Sequence, residues 1–302
     1  MTKAASKPSR PKRRVSVYDS PETRRKRETR IFPGFFFFGR LFCGIILNER
    51  IFVMDTVEKT LKESIDRFAV SNKDIAVIYG GDGSLVGEWR NFRGRKNGRS
   101  LMPVRNYGLC PKHLEFYTKF FSGDSDEDLS VKQFVFPVLR GCFRDKNLDN
   151  YLDALSELTV VGADQTAAIR FNVIINNRPI AENVIANGAI FATRLGSTGY
   201  FKSVSRTIFT QGVGIGFVCP TYSVPNIIVA PDDKIRFELT RKTRLVLTAD
   251  KLKQEIDAEA GWSFEASDAC DNVSILGYDH FMCPDCRKNR NSTLVNDSYC
   301  VI

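Results

Sequence analysis

Val57, Leu61, Ile65 and Phe68 recur at helical spacing between Asp55 and Phe68, with Asp55 as a candidate N-cap, and this pattern predicts an amphipathic helix. The next apolar stretch, Ile75 to Tyr79, is unbroken and predicts a strand covered on both faces, as in a parallel sheet. It stops at Gly80-Gly81-Asp82-Gly83-Ser84, after which Val86 to Phe92 predicts a second helix. Arg93 to Arg99 is a basic surface loop, Leu101 to Cys110 a short strand running into a turn, and Pro111 to Phe121 a third helix.

From about Ser130 the period shortens. Strand-like runs follow at Lys132–Leu139, Leu158–Val161, Ala168–Ile175, Ile185–Thr193, Ile227–Ala230, Lys234–Leu239, Arg244–Leu247, Ser263–Ala266 and Val273–Leu276. Turn signals such as Asn176-Asn177-Arg178-Pro179 and Pro231-Asp232-Asp233 separate them, which is the pattern of a sandwich or a barrel. An α/β domain over residues 31–128 is therefore expected ahead of an all-β domain over 129–278, with the boundary near Ser122 to Asp128.

Charge changes the picture only at the N-terminus. The formal net charge is +9, and residues 1–30 carry eleven Lys/Arg against three Asp/Glu, so the other residues are almost balanced. Such a segment has too few apolar residues to fold and is expected to be a disordered basic tail, a candidate contact for nucleic acid or anionic surfaces. Ile31 to Leu47 is the most apolar stretch, but Pro33, Gly34, Gly39, Arg40 and Gly44 interrupt it, so no transmembrane segment is expected. Gly34 to Leu41 imitates the spacing of a nucleotide P-loop without its Lys and Ser/Thr.

Candidate chemistry sits on two glycine clusters. Gly80, Gly81 and Gly83 let backbone N–H groups approach a phosphate, with Ser84 beside them and Asp82 at the carboxyl end of a strand, where open α/β sheets place ligands. Gly-Asp-Gly is equally good turn chemistry. The second cluster, Thr193 to Ser203, offers Gly196-Ser197-Thr198-Gly199 amides and hydroxyls with Tyr200 and Lys202. Two such loops in one chain favour a two-substrate site.

GGDGS followed by GSTGYFKS resembles the NAD kinase family, whose patterns are GGDGT and GSTAY followed closely by a serine. Ala154-Leu155-Ser156-Glu157 is similar to its ALNE, Asn187-Gly188 takes the place of its DG, and Thr248-Ala249-Asp250 resembles a strand end carrying a second aspartate. The resemblance spans roughly residues 70 to 276. It implies a Rossmann-like α/β domain followed by a β-sandwich domain, usually in a homodimer or homotetramer, and a cytoplasmic enzyme. It also implies transfer of the γ-phosphoryl group of ATP, or of polyphosphate, to the 2′-hydroxyl of the adenosine ribose of NAD with Mg²⁺. Under it Asp82 is the catalytic base, Gly80, Gly81, Gly83 and Ser84 hold phosphate, and Ser156 and Glu157 meet the adenosine ribose. Asn187 faces the nicotinamide end, Thr198, Gly199, Tyr200 and Ser203 line the NAD pocket, and Asp250 contacts substrate or phosphate.

The chain departs from that pattern at Ser156, Asn187, Arg194-Leu195 and Lys251. A kinase of a lipid or sugar acceptor and a non-catalytic dinucleotide-binding protein are the alternatives. Eight cysteines include Cys283-x-x-Cys286 in a C-terminal tail over residues 279–302, near Cys270 and His280, and Cys110-x-x-His113 is a second pair. Zinc needs four converging ligands, so free thiols are expected and no metal ligand is assigned.

Overall fold

The computed structural model describes residues 59–92, 99–123, 130–146 and 148–292, with side chains to Asn289. The basic tail, the Ile31–Leu47 stretch and the Asp55 cap fall outside these residues. Helical residues 59–71 (α1) bury Leu61 and Ile65 and set Phe68 against the rings of Phe120 and Phe121. β1 (Ile75–Tyr79) pairs in parallel with β2 (Ser100–Val104), and α2 (Asp82–Phe92) lies between them in the chain, burying Leu85, Val86 and Trp89. α3 (Pro111–Ser122) starts with proline at its first turn and ends at Gly123, whose φ of 73° is the left-handed conformation of a helix C-cap.

The second helix begins earlier than its apolar spacing predicts. The N–H groups of Ser84 and Leu85 both donate to the Gly81 carbonyl, so Asp82, Gly83 and Ser84 form the first turn of α2 rather than a loop ahead of it.

The remaining strands are β3 (Gln133–Asp145), β4 (Leu148–Ala154), β5 (Glu157–Gly162), β6 (Ile169–Ile175), β7 (Arg178–Ala186), β8 (Gly188–Ala192), β9 (Val213–Val218), β10 (Ile227–Val229), β11 (Ile235–Leu239), β12 (Thr243–Ala249), β13 (Leu252–Ala258) and β14 (Ser263–Leu276). They form two sheets. One has six strands in the order β10-β9-β8-β5-β12-β13; the other has eight, ordered β1-β2-β14-β11-β6-β7, with β3 on β14 and β4 on β3. Phe143, Phe171, Phe191, Phe217, Phe237 and Phe264 form the aromatic part of the core between them. β14 joins β2 in parallel through Ile275 and Leu101, so one sheet runs continuously from the α/β part into the β part.

Three expectations change in detail. The runs at Ser263–Ala266 and Val273–Leu276 are two ends of the single strand β14, which bulges between Asp268 and Asn272 where Cys270 has a φ of 54°. The run at Ile185–Thr193 is two strands, because the chain turns at Asn187-Gly188. β4, β9 and β13 carry no apolar run that announces them: β4 and β13 are rich in polar residues, and Gly214 and Gly216 interrupt β9.

The Phe264 ring occupies the space that a Cβ on Gly141 would need, and it is itself enclosed by Phe143, Phe191 and Trp262. We expect Gly141→Ala to lower unfolding free energy by about 1–3 kcal/mol in urea titrations, the usual cost of overpacking a core. An unchanged midpoint would mean that the ring moves freely.

Candidate active site

Gly80 ends β1 with its N–H donating to Val104 O, and a side chain there would collide with Ser84, so the chain can enter α2 this tightly only with glycine. Asp82 thus opens α2 at the carboxyl end of β1, more than half exposed, beside the positive end of the helix dipole. Its two oxygens accept from Arg105 Nη1 at 3.1 Å and Nη2 at 3.2 Å, a bidentate pair. Arg105 is 93% buried by contrast: its guanidinium lies 3.5 Å from the centre of the Phe281 ring and its Nε donates to Phe281 O. Tyr278 stands close to Asp82, Arg105 and Arg194, and burial pushes its hydroxyl up to about 12, so it remains a proton donor. Lys251 reaches across α2, its Nζ lying over Gly83 and Gly87. It adds a cation to the turn that Asp82 opens.

Asp250, implied by the resemblance to contact substrate or phosphate, lies under the Leu155–Glu157 turn. It follows β12 with a φ of 52°, and its side chain is 99% buried. Its carboxylate accepts from the backbone N–H groups of Leu155, Ser156 and Glu157 at 2.9, 2.9 and 3.0 Å, and from Arg90 Nη2 at 3.4 Å. Burial pushes Asp250 above the usual carboxylate range, against the pull of those amides and of Arg90. Arg90 also donates to the Asp153 and Ala249 carbonyls. Both oxygens of Asp250 are thereby engaged by the protein. The residue clamps the Leu155–Glu157 turn, and through Arg90 it ties that turn to α2.

The second glycine cluster packs on the same turn. Thr193 Oγ1 donates to Leu155 O at 2.7 Å, and a Cβ on Gly196 would strike the Ser156 carbonyl. Gly196-Ser197-Thr198 form a single 3₁₀ turn leading to the short helix α4 (Tyr200–Ser205), where the pattern predicts a polar loop. Ser197 and Thr198 spend their hydroxyls on backbone carbonyls, and Ser203 Oγ donates to Tyr200 O. Glu157 faces this turn: its Oε2 is 3.7 Å from where a Gly199 Cβ would lie, buried and without a hydrogen-bond partner. Burial, then the Asp250 charge, push the Glu157 carboxyl up to about 7, although the Tyr200 and Phe201 N–H groups donate to it. A buried carboxyl oxygen with no partner suits a ligand hydroxyl.

Ser156 contributes chiefly its backbone, which Asp250 and Thr193 hold. Asn187 lies at the opposite end of β8 from Thr193, about 20 Å along the strand. Its N–H donates to Val218 O and its carbonyl accepts from Gly162. A separation of that order matches an extended dinucleotide rather than a single group. Arg105, Lys251 and Arg90 are missed by motif reading, and only Lys251 leaves a trace in the sequence, as a departure at the position after Asp250. A cavity of about 280 Å³ opens beside Thr193 and Arg194, with Gln211 and Asp268 across it. The larger hollow of about 750 Å³ around Arg140, Tyr151 and Trp262 contains none of these residues.

No family model matches the chain. It is 28% identical over 229 residues to an NAD kinase of Limosilactobacillus reuteri, covering 68% of this chain and 81% of that protein. An NAD kinase of Streptococcus pneumoniae is 26% identical over 60% of this chain and 69% of its own length. A bifunctional NADP phosphatase/NAD kinase of Methanocaldococcus jannaschii is 24% identical over 70% of this chain, which spans 38% of that longer protein. Among solved structures, yeast NADH kinase complexed with NADH superposes with a TM-score of 0.56 at 16% identity, over 73% of this chain and 65% of that one. An NAD kinase from Archaeoglobus fulgidus in complex with ATP gives 0.54 at 17% identity, over 76% of this chain and 94% of that one, and these two likenesses establish the fold.

The Glu157 carboxyl supplies a test with a defined sign. Its folded pKa lies above the unfolded value, so its contribution to stability is complete below about pH 4.5 and is lost as pH rises through about 7. Denaturant titrations of the wild type and Glu157→Gln at pH 5 and pH 8 should show the variant gaining about 2 kcal/mol on the wild type across that interval. Parallel pH profiles would place Glu157 in water.

Proposed function

We propose that this chain, a diverged member of the NAD kinase family, transfers the γ-phosphoryl group of ATP to the 2′-hydroxyl of the adenosine ribose of NAD, giving NADP. The observation that carries the reading is the frame joining both loops. Arg90, on the helix that Asp82 opens, reaches the carboxylate that holds the Leu155–Glu157 amides, and Glu157 faces the Gly199–Tyr200 turn. A phosphate-facing helix start and a ribose-facing carboxyl are thereby built on one support.

In this reading the triphosphate lies at the N-terminal turn of α2, where the Gly83 N–H group and Lys251 Nζ meet its negative oxygens. Glu157 accepts a hydrogen bond from a hydroxyl of the adenosine ribose and fixes its orientation, with Thr198, Gly199, Tyr200 and Ser203 along the same side. The 2′-oxygen forms a bond to the γ-phosphorus as the bond from that phosphorus to the β–γ bridging oxygen breaks. The hydroxyl proton passes to Asp82, whose carboxylate Arg105 holds in place. A magnesium ion would be held by the exposed Asp82 carboxylate together with the nucleotide's phosphates, and would offset their negative charge.

Purified protein supplied with ATP, Mg²⁺ and NAD should form NADP, read by an NADP-specific dehydrogenase. Asp82→Asn should lower kcat by about 10²-fold or more in a protein that still folds, because the proton acceptor is lost, with a lower melting temperature because buried Arg105 also loses its counter-charge. A folded variant that keeps most of its turnover would remove Asp82 from the chemistry.

Lys251→Ala tests the phosphate end separately. Loss of one exposed charge contact is worth on the order of 1 kcal/mol, so the KM for ATP should rise about fivefold with little change for NAD. An equal rise for both substrates would locate Lys251 elsewhere.

A further inference from the structure

Away from the two loops, two helices begin with the same chemistry. α3 is preceded by Cys110 and reads Cys-Pro-Lys-His; α5 (Pro284–Ser292) is preceded by Cys283 and reads Cys-Pro-Asp-Cys. A residue just before a helix and the residue three further on lie side by side, the geometry that a capping box uses. Each helix therefore presents a pair of soft ligands from its first turn. The fold brings the pairs together: one ligand atom from each of Cys110, His113, Cys283 and Cys286 lies within 4.8 Å of all the others, and all four residues are buried.

We infer that Cys110, His113, Cys283 and Cys286 form a structural zinc site that fastens the C-terminal helix to the start of α3. Three thiolates and one imidazole form one of the standard four-ligand sets for structural zinc. A tetrahedron with Zn–S near 2.3 Å and Zn–N near 2.0 Å has nitrogen–sulfur edges of about 3.5 Å. His113 Nδ1 lies 3.2 Å from Cys110 Sγ and 3.4 Å from Cys286 Sγ. The surroundings suit anionic sulfur. The Cys110 N–H points at Cys286 Sγ at 3.3 Å, and the N–H groups of Asp285 and Cys286 donate to Cys283 Sγ. Both helices direct their positive ends at the cluster.

Two residues that lie near Cys283-x-x-Cys286 in the sequence, Cys270 and His280, stand outside the four. Cys270 is exposed on the bulge of β14, and His280 packs its ring against His113 at 4.8 Å between centres rather than joining the four. The consequence reaches the phosphate loop. Cys283 directly follows Phe281 and Met282, and these two residues hold the Arg105 guanidinium by ring, carbonyl and sulfur. A metal at Cys283 anchors the segment that keeps Arg105 against Asp82.

Zinc content of the full chain, purified without chelator and dialysed, tests the inference without reference to kinase activity. We expect one zinc per chain, no iron, and the same content in Cys142→Ser, Cys270→Ser and His280→Ala. Cys286→Ser should lose the metal; because it also risks misfolding, His113→Cys provides a second arm. That variant keeps four ligands, should retain the metal, and after cobalt exchange should show stronger sulfur-to-cobalt charge-transfer absorption than the wild type. Zinc-free folded wild type from metal-replete cells, a native Cys283–Cys286 disulfide, iron in place of zinc, or full zinc in folded Cys286→Ser would each overturn the assignment.

Discussion

The site depends on one buried carboxylate. Asp250 sits in a left-handed conformation at the end of β12, with its oxygens directed at three consecutive N–H groups of the Leu155–Glu157 turn and at Arg90. An unpaired charge at 1% exposure would be costly, and four donors offset part of that cost while fixing where each donor must be. Arg90 carries the constraint to α2, and therefore to Asp82. Thr193 carries it to the Gly196–Tyr200 turn by bonding the Leu155 and Ser156 carbonyls from the other side. The two glycine loops, more than 100 residues apart in the chain, are held by the same few atoms.

Arg105 does for the Gly80–Ser84 turn what Asp250 does for the Leu155–Glu157 turn. It is a buried cation whose hydrogen bonds leave the protein interior only at Asp82, so the one exposed carboxylate of the loop is aimed by a group that cannot turn away. Its own position rests on Phe281 and Met282, next to the cluster of three cysteines and one histidine. Asp82 is thus exposed, while Arg105, which orients it, is buried and bonded through all three of its guanidinium nitrogens. Glu157 is the exception, a carboxyl with one buried oxygen unpartnered, as expected where a ligand completes the hydrogen bonding.

Much of this was legible in the order of residues. An apolar run that ends in glycines is a strand entering a tight turn because no side chain could be accommodated there, and Gly80 against Ser84 shows the steric reason. The second motif, the α/β segment ahead of a strand-rich one, and the pair of glycine loops that resemble those of NAD kinases are local patterns, so the chain carries them without its fold. Several strands were not legible for the opposite reason. β4 and β13 are half-polar, and β9 is broken by glycines, so neither period nor composition separates them from loops until partners supply their hydrogen bonds. Asp250 reads in sequence as one more carboxylate near substrate; which of its neighbours are amides depends on β12 lying beside β5, a pairing between residues some 90 positions apart. Arg105, Arg90 and the convergence of Cys110-x-x-His113 with Cys283-x-x-Cys286 belong to the same class. Sequence determined which residues could do chemistry, because that follows from side-chain type and short spacing. The tertiary structure alone decided which of them meet, because contact between distant segments is set by sheet order and core packing, and no local pattern encodes either.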